Sequence, residues 1–277
     1  MPDVFANITG APRQALEMIA SVLELRASMP QQQEMLRTYL RDINFPDRAK
    51  VLEVGCGTGP ITRVLAAWPN VGEVVGGDPS PYLIDKARSL SPSLPNLVFE
   101  VGDGKALGFQ ETSFDVVILH TVLMHVPGPE AILAEAHRIL RPGGWLGICD
   151  GDFSTATLST GELDPLEVCV HAFVEGFVND RWMVRRMRGL AATAGFEVSP
   201  LRSYGVEGRG EAPCRDQRVL WLHGLCEYGR AEAAITQTPP NCFSAEGAKT
   251  CRTAERQAWR LPCWRWVRCA LLKSGPM

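Results

Sequence analysis

The chain has 277 residues, of which 45% are hydrophobic, so it is long and apolar enough to bury a sizeable core in an α/β domain plus additions. Its formal net charge of −3 and its pI of about 6.0 argue against a polyanionic partner such as nucleic acid. The first residues lack the basic and apolar regions of a signal peptide, and no run reaches transmembrane length, so we expect a cytoplasmic protein.

Two helices are predicted ahead of the first strand, over residues 12–29 and 31–43. Leu16, Ile19 and Leu23 share one face of the first, and a similar apolar face follows in the second. Pro30 separates the two helices. The pattern leaves open whether this segment covers a ligand pocket or only packs on the rest of the domain.

A glycine-rich turn follows the first predicted strand. The buried-strand pattern of residues 51–54 runs into Gly55, Gly57 and Gly59, and a helix with apolar residues at helical spacing begins at Pro60. Glycines let the backbone come close to a ligand, and a helix start offers unpaired N–H groups. The spacing differs from the dinucleotide fingerprint G-x-G-x-x-G, because a proline stands at position 60.

The next two predicted strands each lead to a carboxylate. The second strand, residues 71–78, ends in Asp78, and the third, residues 97–101, runs into Gly102, Asp103 and Gly104. A carboxylate at the tip of a second strand can accept hydrogen bonds from ribose hydroxyls. Asp78 can also cap the helix that follows, and the two roles can coexist.

The fourth predicted strand, residues 114–120, is apolar and β-branched and ends in His120, so His120 and the following segment to His125 point to the edge where ligands bind. A helix over residues 130–140, an R-P-G-G turn at 141–144 and a fifth strand at 145–149 come next, with Asp150 and Asp152 at that strand's end. A polar loop over 154–164, helices over 165–178 and 182–194 and a strand at 195–199 complete the pattern.

Glu53 with G-x-G-x-G at Gly55–Gly59, the two acidic strand ends and the R-P-G-G turn resemble the class I S-adenosylmethionine-dependent methyltransferases. The closest likeness is to the small-molecule enzymes around the ubiquinone and menaquinone C-methyltransferases, with a type 11 methyltransferase domain. The resemblance implies an α/β fold with a Rossmann-like, doubly wound, mostly parallel sheet, helices on both faces and an N-terminal helical cap. In the family, a helical segment ahead of the first strand often covers the acceptor pocket.

The same resemblance implies S-adenosyl-L-methionine as the cofactor. Asp78 would hold the ribose hydroxyls, and Asp103 would contact the adenine amino group. The residues expected to bind the cofactor are Glu53, Gly55, Cys56, Gly57, Thr58, Gly59, Asp78, Pro79, Asp103, Gly104 and His120.

Methyl transfer mainly requires that donor and acceptor be held together away from water, whereas a hydroxyl acceptor also needs a general base. His125 and His120 are the catalytic candidates by location, although each also suits a packing role, and His120 can instead offer its backbone to the cofactor. Asp152 and His171 are weaker candidates for the acceptor pocket. The histidines show no metal-binding spacing, so we expect no metal.

These patterns divide the chain into an N-terminal helical cap at 1–46, a methyltransferase core at 47–204 and an atypical segment at 205–277. The last segment carries six of the nine cysteines and four of the seven tryptophans, as a divergent or frame-shifted sequence would. Residues 264–273 are a candidate for the family's last strand. No cysteine pair has C-x-x-C spacing, so we expect reduced thiols.

The leading interpretation is methyl transfer to a small-molecule acceptor, with the methylated atom, oxygen, nitrogen or carbon, left open. A non-catalytic scaffold or regulator that binds S-adenosylmethionine or S-adenosylhomocysteine is the main alternative. An NAD-dependent oxidoreductase is disfavoured by Pro60 and by the position of Asp103. A nucleic-acid methyltransferase is disfavoured because residues 1–200 hold 24 acidic against 16 basic side chains and lack an N/D-P-P-Y motif. No partner macromolecule, membrane span or oligomeric state is indicated.

Overall fold

The structure is a computed structural model, and it describes residues 3–91, 94–157, 171, 174–208 and 263–275. Its strands are β1 (Ala49–Val54), β2 (Val71–Asp78), β3 (Leu97–Val101), β4 (Phe114–His120), β5 (Leu140–Thr157), β6 (Phe196–Val198), β7 (Arg202–Gly208) and β8 (Cys263–Ser274). They form one sheet in the order β3-β2-β1-β4-β5-β8-β6, and β7 also pairs with β8.

The helices are α1 (Arg13–Ser28), α2 (Pro30–Arg41), α3 (Pro60–Ala66), α4 (Pro81–Leu90), α5 (Pro129–Ile139) and α6 (Met183–Thr193), with short 3-10 helices at Ile8–Gly10 and Leu123–His125. Proline begins α2, α3, α4 and α5, where its missing N–H leaves no helical hydrogen bond unmade. Residues 174–177 are helical, but most of the helix predicted over 165–178 lies outside the described residues.

Strands β1 to β5 run parallel. Val51 of β1 pairs with Val74 on one side and Val116 on the other, and all three side chains are fully buried. Helices cover both faces of such strands, which explains their almost continuous apolar sequence. The predicted α/β, doubly wound, mostly parallel sheet is confirmed. Since the strands are parallel, their carboxyl ends bring the glycine turn, Asp78 and His120 to one edge.

The core has one cluster on each face of the sheet. On one face, α5 and α6 pack on β1, β4 and β5, and the cluster includes Leu52, Val117, Leu119, Leu133, Ile139 and Met187. On the other face, α2 and α3 pack on the same strands, and the cluster includes Leu36, Leu40, Val51, Leu65, Val116 and Ile118. Alternate residues of each strand therefore serve opposite faces, as a strand's two-residue period requires.

The two predicted N-terminal helices are present as α1 and α2. Tyr39 and Leu40 of α2 pack against the sheet, whereas Ile19 and Ala20 of α1 pack against Leu83 of α4. Helix α2 is thus part of the sheet's covering layer. Helix α1 lies farther along, beside the carboxyl ends of the strands, and contacts α3 and α4.

Strand β8 is antiparallel to all its neighbours and lies between β5 on one side and β6 and β7 on the other. The strand predicted at 264–273 is therefore confirmed. Its pairing also corrects the placement of Asp150 and Asp152, which we expected at the end of strand five. Because β8 pairs with β5 beyond Cys149, β5 continues to Thr157 and both carboxylates lie within it, fully buried.

Cys149 on β5 and Cys269 on β8 stand opposite each other, with Cα atoms 4.1 Å apart, and are joined as a disulfide. The expectation of reduced thiols is wrong for this pair, because antiparallel pairing brings two residues together that are 120 positions apart in sequence. Cys56 in the glycine turn is a free, buried thiol. Within the described residues, no helix combines the length and hydrophobicity needed to cross a membrane.

Candidate functional site

A cavity of about 460 Å³ opens at the edge where the parallel strands end. The sequence-predicted residues that line it are Glu53, Gly55, Cys56, Gly57, Asp78, Pro79, Asp103, Gly104, His120 and His125. They come from the ends of β1 to β4 and from the segments that follow these strands. The topology of the sheet therefore gathers residues that lie far apart in sequence into one site.

The glycine turn is a tight cradle that excludes side chains. Gly55, Gly57 and Gly59 have φ angles of +73°, +55° and +77°, which residues with a Cβ rarely adopt. A Cβ at Gly55 would lie 2.7 Å from the Val122 side chain, and one at Gly57 would lie 2.6 Å from that of Leu23. The backbone N–H groups of Gly55 and Cys56 both donate to the carbonyl of Gly77 on β2, so this turn is fixed to the neighbouring strand.

Asp78 is a buried carboxylate that organises the turn. Its Oδ2 accepts the N–H of Gly57 and its Oδ1 accepts the N–H of Ser80, each at 2.9 Å. Burial raises the pKa of Asp78, and these two hydrogen bonds oppose the rise. The N-cap of α4 is Ser80, whose side chain accepts the N–H of Leu83. Each Asp78 oxygen keeps a second lone pair that ligand hydroxyls can use.

Glu53 lies at the floor of the cavity and is 2% exposed. Its Oε2 accepts the hydroxyl of Thr62 at 2.5 Å. Burial raises the pKa of Glu53 to about 8, and the nearby Asp78 adds to the rise, while the Thr62 hydrogen bond lowers it. The carboxyl group is therefore mostly protonated at neutral pH, and a positively charged ligand in the cavity would favour its ionised form.

Asp103 and Gly104 follow β3. Asp103 is exposed, lines the cavity and accepts the N–H of Lys105 at 2.9 Å, which fixes the carboxylate's orientation. Gly104 is buried, and a Cβ there would lie 2.7 Å from Val54. A side chain at position 104 would therefore disturb the end of β1 beside the glycine turn.

His120, at the end of β4, is 7% exposed and lines the cavity. Its Nδ1 lies 2.9 Å from the hydroxyl of Tyr39 on α2. Burial raises the pKa of Tyr39 well above its usual value, so this hydroxyl keeps its proton. The contact fixes the imidazole against the layer that covers the sheet.

We expect Tyr39→Phe to lower the free energy of unfolding by about 1–3 kcal/mol, because it removes a buried hydrogen bond and keeps the ring. Urea denaturation measures the change. Tyr82→Phe is the matched control, since Tyr82 is only partly buried and its ring lies beside Arg13, and it should change stability by less than about 0.5 kcal/mol. Equal stability of the two variants would contradict a structural role for the Tyr39 contact.

His125 lies in the short 3-10 helix after β4, and its side chain is 12% exposed. Its Nδ1 lies 2.7 Å from Oδ2 of Asp3, and its ring centroid is 4.4 Å from that of Phe5. The N-terminal segment thus encloses this histidine on two sides. His125 and His120 line the same cavity but are held by different parts of the chain.

A sequence model of the methyltransferase domain matches residues 52–148. The 2-methyl-6-phytyl-1,4-hydroquinone methyltransferase of Synechocystis is 31% identical over 221 residues, which cover 68% of this chain and 69% of that protein. The chain belongs to the class I S-adenosylmethionine-dependent methyltransferases. The demethylmenaquinone methyltransferase of Staphylococcus saprophyticus is 30% identical over 145 residues, or 52% of this chain and 59% of that protein.

Among solved structures, the YcgJ protein of Bacillus subtilis matches with a TM-score of 0.61 at 14% identity, covering 88% of this chain and 100% of that one, so the likeness is one of fold. The chain spans about half the length of several curated relatives that it matches, between 43% and 59%. The predicted membership of the class I methyltransferases near the menaquinone enzymes is confirmed.

The hydrogen-bond acceptors that line the cavity fit S-adenosylmethionine. The cofactor has ribose hydroxyls and an adenine amino group that donate hydrogen bonds, and it carries positive charge. Three carboxyl groups, those of Glu53, Asp78 and Asp103, line the cavity as acceptors. The glycine turn leaves room for close approach of a ligand to the backbone.

Two predicted cofactor residues, Thr58 and Gly59, lie outside the cavity lining. The side chain of Thr58 is fully buried, and its hydroxyl donates to Glu24 of α1 at 2.6 Å. Gly59 is the N-cap of α3. Asp152 and His171 do not line the cavity either. Asp152 is buried within β5, where its Oδ2 lies 3.6 Å from Arg268, and His171 is exposed.

The N-terminal residues contribute side chains to the cavity that the sequence did not single out as site residues. Phe5, Ile8 and Leu23 line it, as does Arg26, which donates to the hydroxyl of Thr121 at 3.0 Å. Glu24 and Arg63 form an ion pair at 2.6 Å that ties α1 to the helix after the glycine turn. The four lining residues belong to no motif, because each reaches the cavity only through tertiary packing. No group of three or more potential metal ligands occurs among the described residues.

Proposed function

We propose that this protein transfers a methyl group from S-adenosylmethionine to a small-molecule acceptor. The observation that carries the proposal is that the glycine turn, Asp78, Asp103 and His125 all line the same cavity. This cavity combines a site for a nucleoside with a polar side chain suited to an acceptor. Family membership supports the reaction type, although a fold alone does not fix a function.

In the proposed complex, Asp78 accepts hydrogen bonds from the ribose hydroxyls and Asp103 from the adenine amino group. The backbone of Gly55 and Gly57 contacts the amino-acid part of the cofactor, near Glu53. When bound, S-adenosylmethionine supplies a methyl group on a positively charged sulfur and leaves as S-adenosylhomocysteine. The protein's own contribution is to orient the acceptor and exclude water, which is the main requirement of this reaction.

Apolar residues on the N-terminal side of the cavity suit the exclusion of water. Phe5, Ile8 and Leu23 face the same space as the glycine turn, and Ile8 is 6% exposed. We infer that residues 3–28 cover the acceptor and the transferring methyl group. The ties of Glu24 to Arg63 and Thr58 support this arrangement, since they fix α1 next to the cofactor turn.

The proposed acceptor is a small molecule rather than a nucleic acid. Two relatives are named for methylating demethylmenaquinone and a phytyl hydroquinone, both of them small molecules. The cavity volume of about 460 Å³ and the net charge of −3 agree with an acceptor of that size class. The two names do not transfer to this protein, because acceptor pockets vary within a fold.

Calorimetric titration of the purified protein with S-adenosylmethionine, S-adenosylhomocysteine and NAD tests the cofactor. We expect the first two compounds to bind and NAD not to bind, and each bound compound should raise the thermal stability by mass action. Binding of NAD alone would overturn the proposal. A non-catalytic binding protein would bind both sulfur compounds but transfer no methyl group to any acceptor. A turnover assay therefore distinguishes a methyltransferase from a non-catalytic scaffold or regulator.

Asp78→Ala tests the ribose contact. We expect S-adenosylhomocysteine to bind more weakly by about 1–3 kcal/mol, because the variant lacks the acceptor for the hydroxyls and for the Gly57 N–H. Asp85→Ala is the matched control on the next helix, where the exposed Asp85 pairs only with Arg88. Calorimetry should show unchanged affinity for the control, and unchanged affinity for Asp78→Ala would refute the assignment.

A further inference from the structure

We propose that Asp3 is a positioning residue that holds His125 as a general base, and that the acceptor therefore presents a hydroxyl group whose proton passes to His125. The inference rests on the proposed methyl transfer and adds the class of acceptor to it. It begins with a contact between the first described residue of the chain and a residue that lies 122 positions later.

Asp3 acts as a hydrogen-bond acceptor on both oxygens. Its side chain is 1% exposed. Oδ1 accepts the N–H of Phe5, and Oδ2 accepts the N–H of Asn179, each at 2.9 Å. His125 Nδ1 reaches the same Oδ2 at 2.7 Å. A protonated carboxyl would direct its own hydrogen at one of these donors, so the arrangement suits the carboxylate form.

The contact selects one tautomer of His125. Because Oδ2 of Asp3 has no hydrogen to give, Nδ1 of His125 must carry the hydrogen. In the neutral imidazole the other nitrogen, Nε2, then has a free lone pair. Phe5 packs against the ring at 4.4 Å and holds its orientation. His125 lines the cavity, and its Nε2, the nitrogen that Asp3 does not contact, can accept a proton.

His120 is held differently. Its Nδ1 lies 2.9 Å from the hydroxyl of the buried Tyr39, a neutral group that can donate or accept this hydrogen bond, so the contact does not select a tautomer. The contact with Asp3 does select one for His125, so of the two catalytic candidates the geometry favours His125 as the base.

A general base at this point is needed only by an acceptor that must lose a proton. In the proposed step, the acceptor's O–H proton moves to Nε2 of His125, and the oxygen's electron pair forms the bond to the methyl carbon. The carbon–sulfur bond breaks, and its electrons stay on sulfur. A neutral amine attacks with its own lone pair and loses a proton only after the transfer, and a methylated ring carbon likewise loses its hydrogen afterwards. A base oriented by a carboxylate for use during the attack therefore favours a hydroxyl acceptor.

The tautomer is measured without any acceptor. In full-length protein labelled with 15N-histidine, long-range proton–nitrogen spectra should show His125, assigned by its loss in His125→Gln, as the Nδ1–H form. Asp3→Asn replaces one oxygen by an NH₂ group and should move His125 towards the Nε2–H form. Asp115→Asn is the control, since Asp115 accepts the N–H of Lys50 far from the cavity and should leave the signal unchanged. An Nε2–H form in the wild type would overturn the proposal.

Turnover tests the acceptor class with matched probes, hydroquinone and 1,4-phenylenediamine. We expect O-methylation of hydroquinone to its methyl ether, with kcat about 10²–10⁴-fold lower in His125→Gln and S-adenosylhomocysteine affinity unchanged. Methylation of the diamine alone, methylation of a ring carbon of hydroquinone, or full activity of His125→Gln on hydroquinone would contradict the proposal. If the wild type did not bind S-adenosylhomocysteine, the proposed function itself would be wrong. Failure of the proposed function and failure of the base assignment are therefore distinguishable.

Discussion

Gly55→Val is expected to abolish measurable binding of S-adenosylhomocysteine and to lower the free energy of unfolding by about 3–5 kcal/mol. Gly55 has φ of +73°, a conformation that β-branched residues avoid. Its Cβ would lie 2.7 Å from Val122, in the segment that carries His125. The substitution therefore disturbs the cofactor turn and the acceptor side together. Urea denaturation and calorimetry measure the two effects.

Gly108→Val is the matched control for this change. Gly108 lies in a loop, its φ is not positive, and among the residues that the structure describes no atom lies within 4 Å of a Cβ placed there. We expect its unfolding free energy to change by less than about 1 kcal/mol and its ligand affinity to stay the same. If Gly55→Val bound S-adenosylhomocysteine as well as Gly108→Val does, the turn would have no part in cofactor binding.

Glu53→Gln is expected to remove a large pH dependence of stability. Burial raises the pKa of Glu53 to about 8 in the folded protein, against 4.5 for an ordinary glutamate. Between these values the unfolded chain releases the proton and the folded protein keeps it. The stabilising contribution is thus fully present below pH 4.5 and is lost as the pH rises to 8. Relative to the wild type, the variant should gain about 2–4 kcal/mol between pH 5 and pH 8.

Urea denaturation of both proteins at pH 5, 6.5 and 8 measures this difference, since other titrating groups affect both alike. Glu135→Gln is the control. The hydrogen bond from Arg138 lowers the pKa of Glu135, whose side chain is 19% exposed, so this carboxylate is mostly ionised in both states across the range. Its stability curve should run parallel to that of the wild type. A parallel curve for Glu53→Gln would mean that Glu53 is ionised in the folded protein.

The parts of the site that lie on the strands were predictable from local sequence. A strand end is marked by the change from apolar residues to glycine or acid, and parallel strands bring their ends together. Gly55, Asp78, Asp103 and His120 could therefore be placed from their patterns, and the structure puts all of them around one cavity. Their binding roles remain predictions.

The contacts that complete the site were not predictable in this way. Asp3 and His125 are 122 residues apart, and Tyr39 and His120 are 81 apart. A lone aspartate near the start of the chain is not part of a periodic pattern. Its partner is determined only when the N-terminal segment packs beside Asn179, in the loop that precedes α6. The Cys149–Cys269 pair was missed for the same reason, since it depends on the register of β5 and β8.

The position of β8 has a consequence for how the chain reaches this structure. Strand β8 is synthesised after β5, β6 and β7 and is an inner strand, so these three strands lack their shared neighbour until residues 263–274 arrive. At a typical rate of synthesis, this interval lasts roughly 5–20 s. During that time the exposed edge of β5 is open to pairing with other chains. Folding should therefore be slow, with its rate set by closure of this long-range pairing.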